Sequence, residues 1–444
     1  MKEVIGSLEL DQQQLDRLQD LINKNIPLTS FTIATPTSTA ISSSSKTTQS
    51  SKEVFYTNAN ENLIIARKEI STFSFQKCKD RIVGTKRRRD TFSAKEEDNQ
   101  CVSNLYDLCE EVVLNSSQYA DARPLTCIRY SACGNIIATG SLASHVKLWD
   151  VNTLNCTGLL RGHEERITSV EWNPMNENND SILLASTAAD ATCKLYDCRN
   201  NMTGDIYKNQ NDNNGSNGEK KDDIIESLLP IREFKGHKGI VADCEFHPNG
   251  RYIATAGHDY SWRLWDIETG QELLLQDGHI NECAELSFHP DGSLVMTTDW
   301  AGIALLWDIR SGQQIHYFQG HVKKITCSAF NPNGFQVATG SIDNLVRIWD
   351  LRKKKCSMAL PAHSNLISDL KFSGSGEILL TSSFDGSSKI WGTRDYRLLK
   401  TCLGHFGRVM ACDCSPDDSS AKNIRFTTAG YDRTLKIWAH NSQF

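Results

Sequence analysis

The sequence has no excess of positive charge: 48 Lys and Arg stand against 54 Asp and Glu in 444 residues, a formal net charge of −6. A globally basic nucleic-acid coat is excluded, and any nucleic acid has to be met by a local patch. No apolar run reaches 18 residues, so a membrane-spanning helix is not expected and the chain reads as soluble. The start, Met1-Lys2-Glu3-Val4-Ile5-Gly6, carries an acid early and no apolar core before a small-residue cleavage site, which argues against secretion. Paired C-x-x-C knuckles are missing as well. The 15 cysteines fall singly, several within apolar runs such as Ile325-Thr326-Cys327, and read as small, reduced core residues of an intracellular protein. There is no G-x-S-x-G elbow, P-loop, G-x-G-x-x-G or H-E-x-x-H, so no catalytic residue, cofactor or metal is expected.

What the chain does have is a repeat, and a repeat period fixes the architecture. Gly-His or a variant stands at His163, His237, His279, His321, His363 and His405, with a spacing of 42 residues from His237 onward. A second ladder, Trp-Asp or a relative, has seven rungs, at Trp149, Tyr196, Trp265, Trp307, Trp349, Trp391 and Trp438. Ten residues before every rung stands a hydroxyl (Thr139, Ser186, Thr255, Thr297, Thr339, Thr381, Thr428), and six before five of them stands Asp190, Asp259, Asp343, Asp385 or Asp432. Ala143 and Ala301 take that place in repeats one and four, which are expected to lack the acid and to be more pliable.

Short β-rich runs bounded by Gly, Asn, Asp or Pro lie between the ladders, four to a repeat. One such sheet exposes both faces, whereas seven arranged radially bury them against one another. Over residues 113 to 439 the chain resembles the WD-repeat (WD40) β-propeller family. The fold expected is all-β, a seven-bladed WD40 propeller with a mainly helical, partly disordered N-terminal arm. Too few residues follow Trp438 to complete the last blade, and Glu111–Asn115 is the segment expected to close it. The resemblance implies one buried hydrogen-bonded chain per blade, so His163, Asp190, His237, Asp259, His321, Asp343, His363, Asp385, His405 and Asp432 are assigned structural roles.

Recognition then falls to loops on a rigid ring. The positions just before each Asp and three after each His supply Arg166, His258, Trp300, Lys324, Ile342, Phe384, Arg408 and Tyr431 as candidate protein-binding residues. Such aromatics interleaved with cations suit a protein anchor or stacked nucleic acid; the plainer alternative is packing against neighbouring loops.

Three domains are expected: residues 1–52 as a short helix and a disordered Ser/Thr-rich tether, 53–110 as a helical basic arm, and 111–444 as the propeller with a disordered insertion near 200–227. In the arm, Leu63, Ala66, Ile70 and Phe73 recur at helical spacing from Asn58, and Leu105, Leu108, Cys109 and Val112 mark another helix. Between them Lys77, Lys79, Arg81, Lys86, Arg87, Arg88 and Arg89 concentrate positive charge. Contact with RNA phosphates, a nuclear import signal and a merely solvated helix end are all compatible with that run.

Phe55-Tyr56-Thr57, Ala66-Arg67, Arg123-Pro124-Leu125, Ser261-Trp262-Arg263-Leu264-Trp265-Asp266, Gln276-Asp277-Gly278-His279, Asp291-Gly292-Ser293-Leu294 and Asn333-Gly334-Phe335-Gln336 carry a narrower resemblance. With these stretches the chain resembles the WD-repeat splicing factors of the U4/U6 small nuclear ribonucleoprotein. That likeness implies a nuclear, non-enzymatic scaffold of the U4/U6 particle and the U4/U6.U5 tri-snRNP. Its implied partners are a U4/U6 protein on the propeller, U4/U6 small nuclear RNA on the basic arm and other tri-snRNP proteins, with no membrane and no small-molecule substrate. The family's N-terminal Pro-Thr-Asp-Asp start is not visible before Ser30. The competing expectation is a cytoplasmic WD-repeat scaffold in signalling or ubiquitin-ligase substrate choice.

Overall fold

Short β-branched and aromatic runs punctuated by turn residues bury both faces only by stacking on like sheets, and this chain does so seven times. The computed structural model describes residues 61–90, 92–175, 182–199, 227–416 and 424–440, with the side chains of 85–99 and 101 outside that description. The short helix and tether expected in residues 1–52 and most of the 200–227 insertion lie outside the described residues.

Blade three shows the pattern. Val241–Phe246, Tyr252–Gly257, Ser261–Asp266 and Glu272–Asp277 pair antiparallel in sequence order. Turns after the first and third strands therefore emerge on one face of the ring. Turns after the second strand, and the links from each fourth strand to the next blade, emerge on the other.

The ring closes through Val112–Tyr119, which pairs antiparallel with Thr434–His440, placing Val112 opposite His440 and Tyr119 opposite Thr434. The closing strand starts one residue later than Glu111 and extends past Asn115 to Tyr119. Closure buries Ile128, Ile137, Trp149, Leu435 and Ile437 together between blades seven and one. Each such side chain contributes roughly 1.5–3 kcal/mol when fully buried. Blade one gains a fifth strand, Ser227–Leu228, parallel to Cys156–Leu160.

Among the described residues two helices precede the ring, α1 (Glu61–Asp90) and α2 (Phe92–Glu110). Leu63, Ala66 and Ile70 of α1 are buried with Tyr252, Trp262, Leu274 and Trp307 of blades three and four. Leu105 and Cys109 of α2 join Ile378, Ile390, Phe426 and Trp438 of blades six and seven. Val112, expected on that helix, belongs to the closing strand instead, because α2 ends at Glu110.

Polar contacts fix α1 across three blades. Glu69 accepts from Arg251 Nη1 at 2.9 Å and from the Tyr252 hydroxyl at 2.5 Å. Arg81 donates to both Asp291 carboxylate oxygens, at 3.0 and 2.5 Å, and to the Asn333 carbonyl at 2.9 Å. Farther on, Glu110 accepts from Arg397 at 3.2 Å. All these propeller partners lie at turns after first or third strands, so the helices cover one face.

Candidate functional site

The opposite face is organised from within. In blade five Trp349 Nε1 donates to Thr339 Oγ1 at 2.9 Å, His321 Nε2 meets that hydroxyl at 2.8 Å, and His321 Nδ1 meets Asp343 at 2.8 Å. A neutral imidazole fits these contacts. Thr339 accepts from the indole, and in the neutral form it gives its own proton to Nε2 while Nδ1–H donates to the carboxylate. Burial accordingly holds His321 below its ordinary value, and the His321 hydrogen bond holds Asp343 below its own against burial.

The same chain recurs in blades three (His237, Asp259), six (His363, Asp385) and seven (His405, Asp432), with His–Asp distances of 3.0 Å. In blade two, His163 lies 2.8 Å from Asp190 and 2.8 Å from Ser186.

Of the two blades expected to lack the acid, one needs correction and the other departs from the pattern in a way of its own. Blade four does not lack the acid: Asp299, two positions before Ala301, lies 3.2 Å from His279 Nδ1, while Thr297 joins His279 Nε2 at 2.6 Å and Trp307 at 2.8 Å. Asp299 also accepts from the backbone of Ala301 at 3.0 Å and Ile303 at 2.9 Å, which lets it serve from the strand end. Blade one is rebuilt rather than merely loosened. Asp121 takes the place of the histidine and accepts from Ser141, from the Ala122 amide at 2.7 Å and from Lys147 at 3.4 Å.

These chains position the eight proposed recognition residues. In each blade the residue before the Asp position donates its amide to the residue three after the histidine, as Ile342 does to Lys324 at 3.0 Å and Tyr431 to Arg408 at 2.7 Å. The side chains then meet across blades. Lys324 Nζ of blade five lies 3.7 Å from the Trp300 ring centre of blade four, and the His258 ring of blade three sits 4.7 Å from that indole. Arg408 of blade seven lies over Phe384 of blade six at 4.9 Å and over Tyr431 at 5.8 Å. Burial holds His258 below its ordinary value, with Arg166 and Lys324 pushing the same way against Glu282. Arg166 and Ile342 join through backbone contacts rather than ring stacking.

The family model described as WD domain, G-beta repeat matches seven segments, residues 115–150, 154–197, 228–266, 270–308, 312–350, 354–392 and 396–439. The chain belongs to the WD-repeat family. It is similar to the U4/U6 small nuclear ribonucleoprotein PRP4 of Saccharomyces cerevisiae, 29% identical over 227 residues, or 51% of this chain and 43% of that protein. A U4/U6 small nuclear ribonucleoprotein PRP4-like protein of Arabidopsis thaliana is 36% identical over 144 residues, 32% of this chain and 24% of that one. The nuclear distribution protein nudF of Aspergillus oryzae is 28% identical over 146 residues, 33% and 26% of the two chains. The matched stretches thus span less than half of each relative's length.

On this WD-repeat chain the basic arm divides. Lys77 and Lys79 are exposed on α1, Lys77 lying 5.7 Å from the Phe73 ring. Arg81 is corrected: its guanidinium is taken up by Asp291, by the Asn333 carbonyl and by the Phe335 ring at 5.0 Å, so it clamps the helix rather than reaching toward phosphate. The side chains of Lys86, Arg87, Arg88 and Arg89 lie outside the described residues.

The central channel holds a cluster that the repeat analysis did not single out. Arg129 pairs with Glu171 at 3.1 Å and with Asp369 at 3.1 Å. Acids of one innermost strand accept backbone amides of the next, Glu245 from Phe288 at 2.6 Å, Glu285 from Ser328 at 2.6 Å and Asp413 from Tyr130 at 2.6 Å. Enclosure pushes the Glu245 carboxyl up to about 8. Aligning the first strands of the repeats would expose the signal, because alternate positions there read Glu171, Glu245, Lys371 and Asp413 where a fully packed strand would be apolar.

Proposed function

We propose that the chain is a non-catalytic scaffold of the U4/U6 small nuclear ribonucleoprotein and the U4/U6.U5 tri-snRNP in pre-mRNA splicing, working in the nucleus. A U4/U6 protein partner docks on the uncovered face through Trp300, Lys324, Phe384, Arg408 and their neighbours, and U4/U6 RNA meets the arm through Lys77, Lys79 and the run Lys86 to Arg89. The single observation that carries the reading is similarity to two proteins named for the U4/U6 particle. The exposed lysines on α1 support the RNA part, since they leave charge in solvent on an otherwise acidic chain. A non-catalytic role is supported by the repetition of the His–Asp–hydroxyl chain in blade after blade, its members tied to one another and to the ring's own backbone.

Affinity purification of the full chain with identification of bound RNA and protein tests this. U4 and U6 RNAs are expected to co-purify, and reversing the charges at Lys77, Lys79 and Lys86 to Arg89 should reduce their recovery roughly tenfold or more. Recovery of a cullin adaptor without small nuclear RNA would replace the reading by a cytoplasmic WD-repeat scaffold.

A further inference from the structure

In blades two, three, five, six and seven the residue after the Gly-His histidine has its backbone held by the buried network. Its amide donates to the network Asp, at 2.9 Å from Phe406 to Asp432 and 3.4 Å from Val322 to Asp343. Pinned in this way, the loop turns that side chain outward. In blades two, three and six it is Glu164, Lys238 or Ser364, as a solvated loop requires. In blades four, five and seven it is Ile280, Val322 or Phe406, exposed by 77%, 85% and 93%, the three most exposed large apolar side chains among the described residues.

Apolar groups held in water by a stiff loop mark a contact surface. Around Val322 and Phe406 the charge has one sign. On the face loops of blades five to seven, Lys323, Lys324, Arg408 and Arg433 are exposed, and the acids there are the network residues Asp343, Asp385 and Asp432. A local positive arc on a chain of net charge −6 selects an acidic partner. Trp300 and Phe384 are not open stacking platforms, because Lys324 and His258 already sit on the first and Arg408 on the second, and the open Phe406 ring shares the arc with aliphatic Val322 rather than with a row of bare rings. That favours protein over nucleic acid.

We infer that the loops of blades five to seven hold an extended, acidic protein segment, its bulky apolar side chains against Val322 and Phe406 and its carboxylates against Lys323, Lys324 and Arg408. The inference rests on the proposal that this face takes the protein partner, and adds that partner's chemistry.

Selection of random peptides displayed on phage against the immobilised full chain tests it. Enriched peptides should be rich in Asp and Glu with Leu or Phe among them. Val322→Ser and Phe406→Ser should each weaken a selected peptide about tenfold, and binding should fall severalfold from low to physiological salt. Thermal unfolding of both variants should match the parent, since the side chains are exposed. Enrichment of basic or uncharged peptides that still depend on Phe406 overturns the acidic partner and leaves the face reading standing. No enrichment, or peptides indifferent to both substitutions, overturns the two together. Binding of a single-stranded oligouridine that Phe406→Ser abolishes would assign the face to nucleic acid instead.

Discussion

The two faces of the ring are stiffened by opposite means. On one, the loops are tied from inside by His–Asp–hydroxyl chains, which leave the outer surface uncovered by the other described residues and place cations, aromatics and aliphatics on it. On the other, α1 and α2 lie across the turns and hold them from outside with Arg81, Glu69 and a buried apolar stripe. A loop ordered from within keeps its surface available for partners, whereas a loop ordered by its own chain has already used it. The difference gives the second face to intramolecular anchoring and leaves the first for the recognition proposed above, although the strands beneath the two are the same.

Removing an inner tie should give the largest effect. Asp299→Ala deprives buried His279 of its partner and leaves two backbone amides unsatisfied, a loss of about 3 kcal/mol in denaturant unfolding. Ala301→Asp, which restores the spacing of the other blades, should change stability by less than about 0.5 kcal/mol because the site is already served. Were the two variants to behave in the reverse order, blade four would have no inner tie and the contrast between the faces would fail there.

That pair also shows how far the residues could be read in advance. The period of 42 and the hydroxyl, His and Trp ladders were enough for the seven blades and their tie residues, because a repeated buried polar group has to be matched in every copy. Spacing failed where the acid moved along the strand, to Asp299, and where the roles changed places, at Asp121, since geometry requires a carboxylate near the imidazole or hydroxyl and not at a set sequence distance. Arg81 was misread for a different reason. Charge in a basic run does not reveal which member faces the ring, and only the contact with Asp291, 210 positions away, sorts it from Lys77 and Lys79. The exposed Val322 and Phe406 stand next to the histidines, yet their importance appears only when the loop direction is known.

Breaking the outer clamp should be milder and local. Arg81→Ala removes a charge-assisted pair with Asp291 that is largely shielded from solvent, at a cost of about 1–2 kcal/mol. Because α1 is also held by Leu63, Ala66 and Ile70, amide exchange should quicken in the second half of the helix while the propeller keeps its unfolding midpoint. A double-mutant cycle with Asp291→Asn should return most of the loss as coupling. Uniformly faster exchange on both faces would mean that the helix stabilises the ring as a whole and that the distinction drawn between the faces is too sharp.

The smallest effect belongs to the channel, which serves both faces equally. Glu245 accepts the Phe288 amide, and its carboxyl is pushed up to about 8 by enclosure. A raised carboxyl favours the protonated folded state, so its stabilising contribution is complete below the ordinary value near 4.5 and is lost as pH rises through about 8. Glu245→Gln keeps an oxygen for the Phe288 amide but cannot ionise. The variant should therefore gain on the parent as pH rises from 6 to 8, by about 1 kcal/mol once the partial solvent access of the channel is allowed for. The slope should shrink rather than vanish, because Asp243, Glu285 and Asp413 are raised by the same enclosure and remain. A gap independent of pH would mean that Lys371 keeps Glu245 ionised throughout, and the innermost strands would then be joined by an ion pair instead of a shared proton, with the same consequence for both faces.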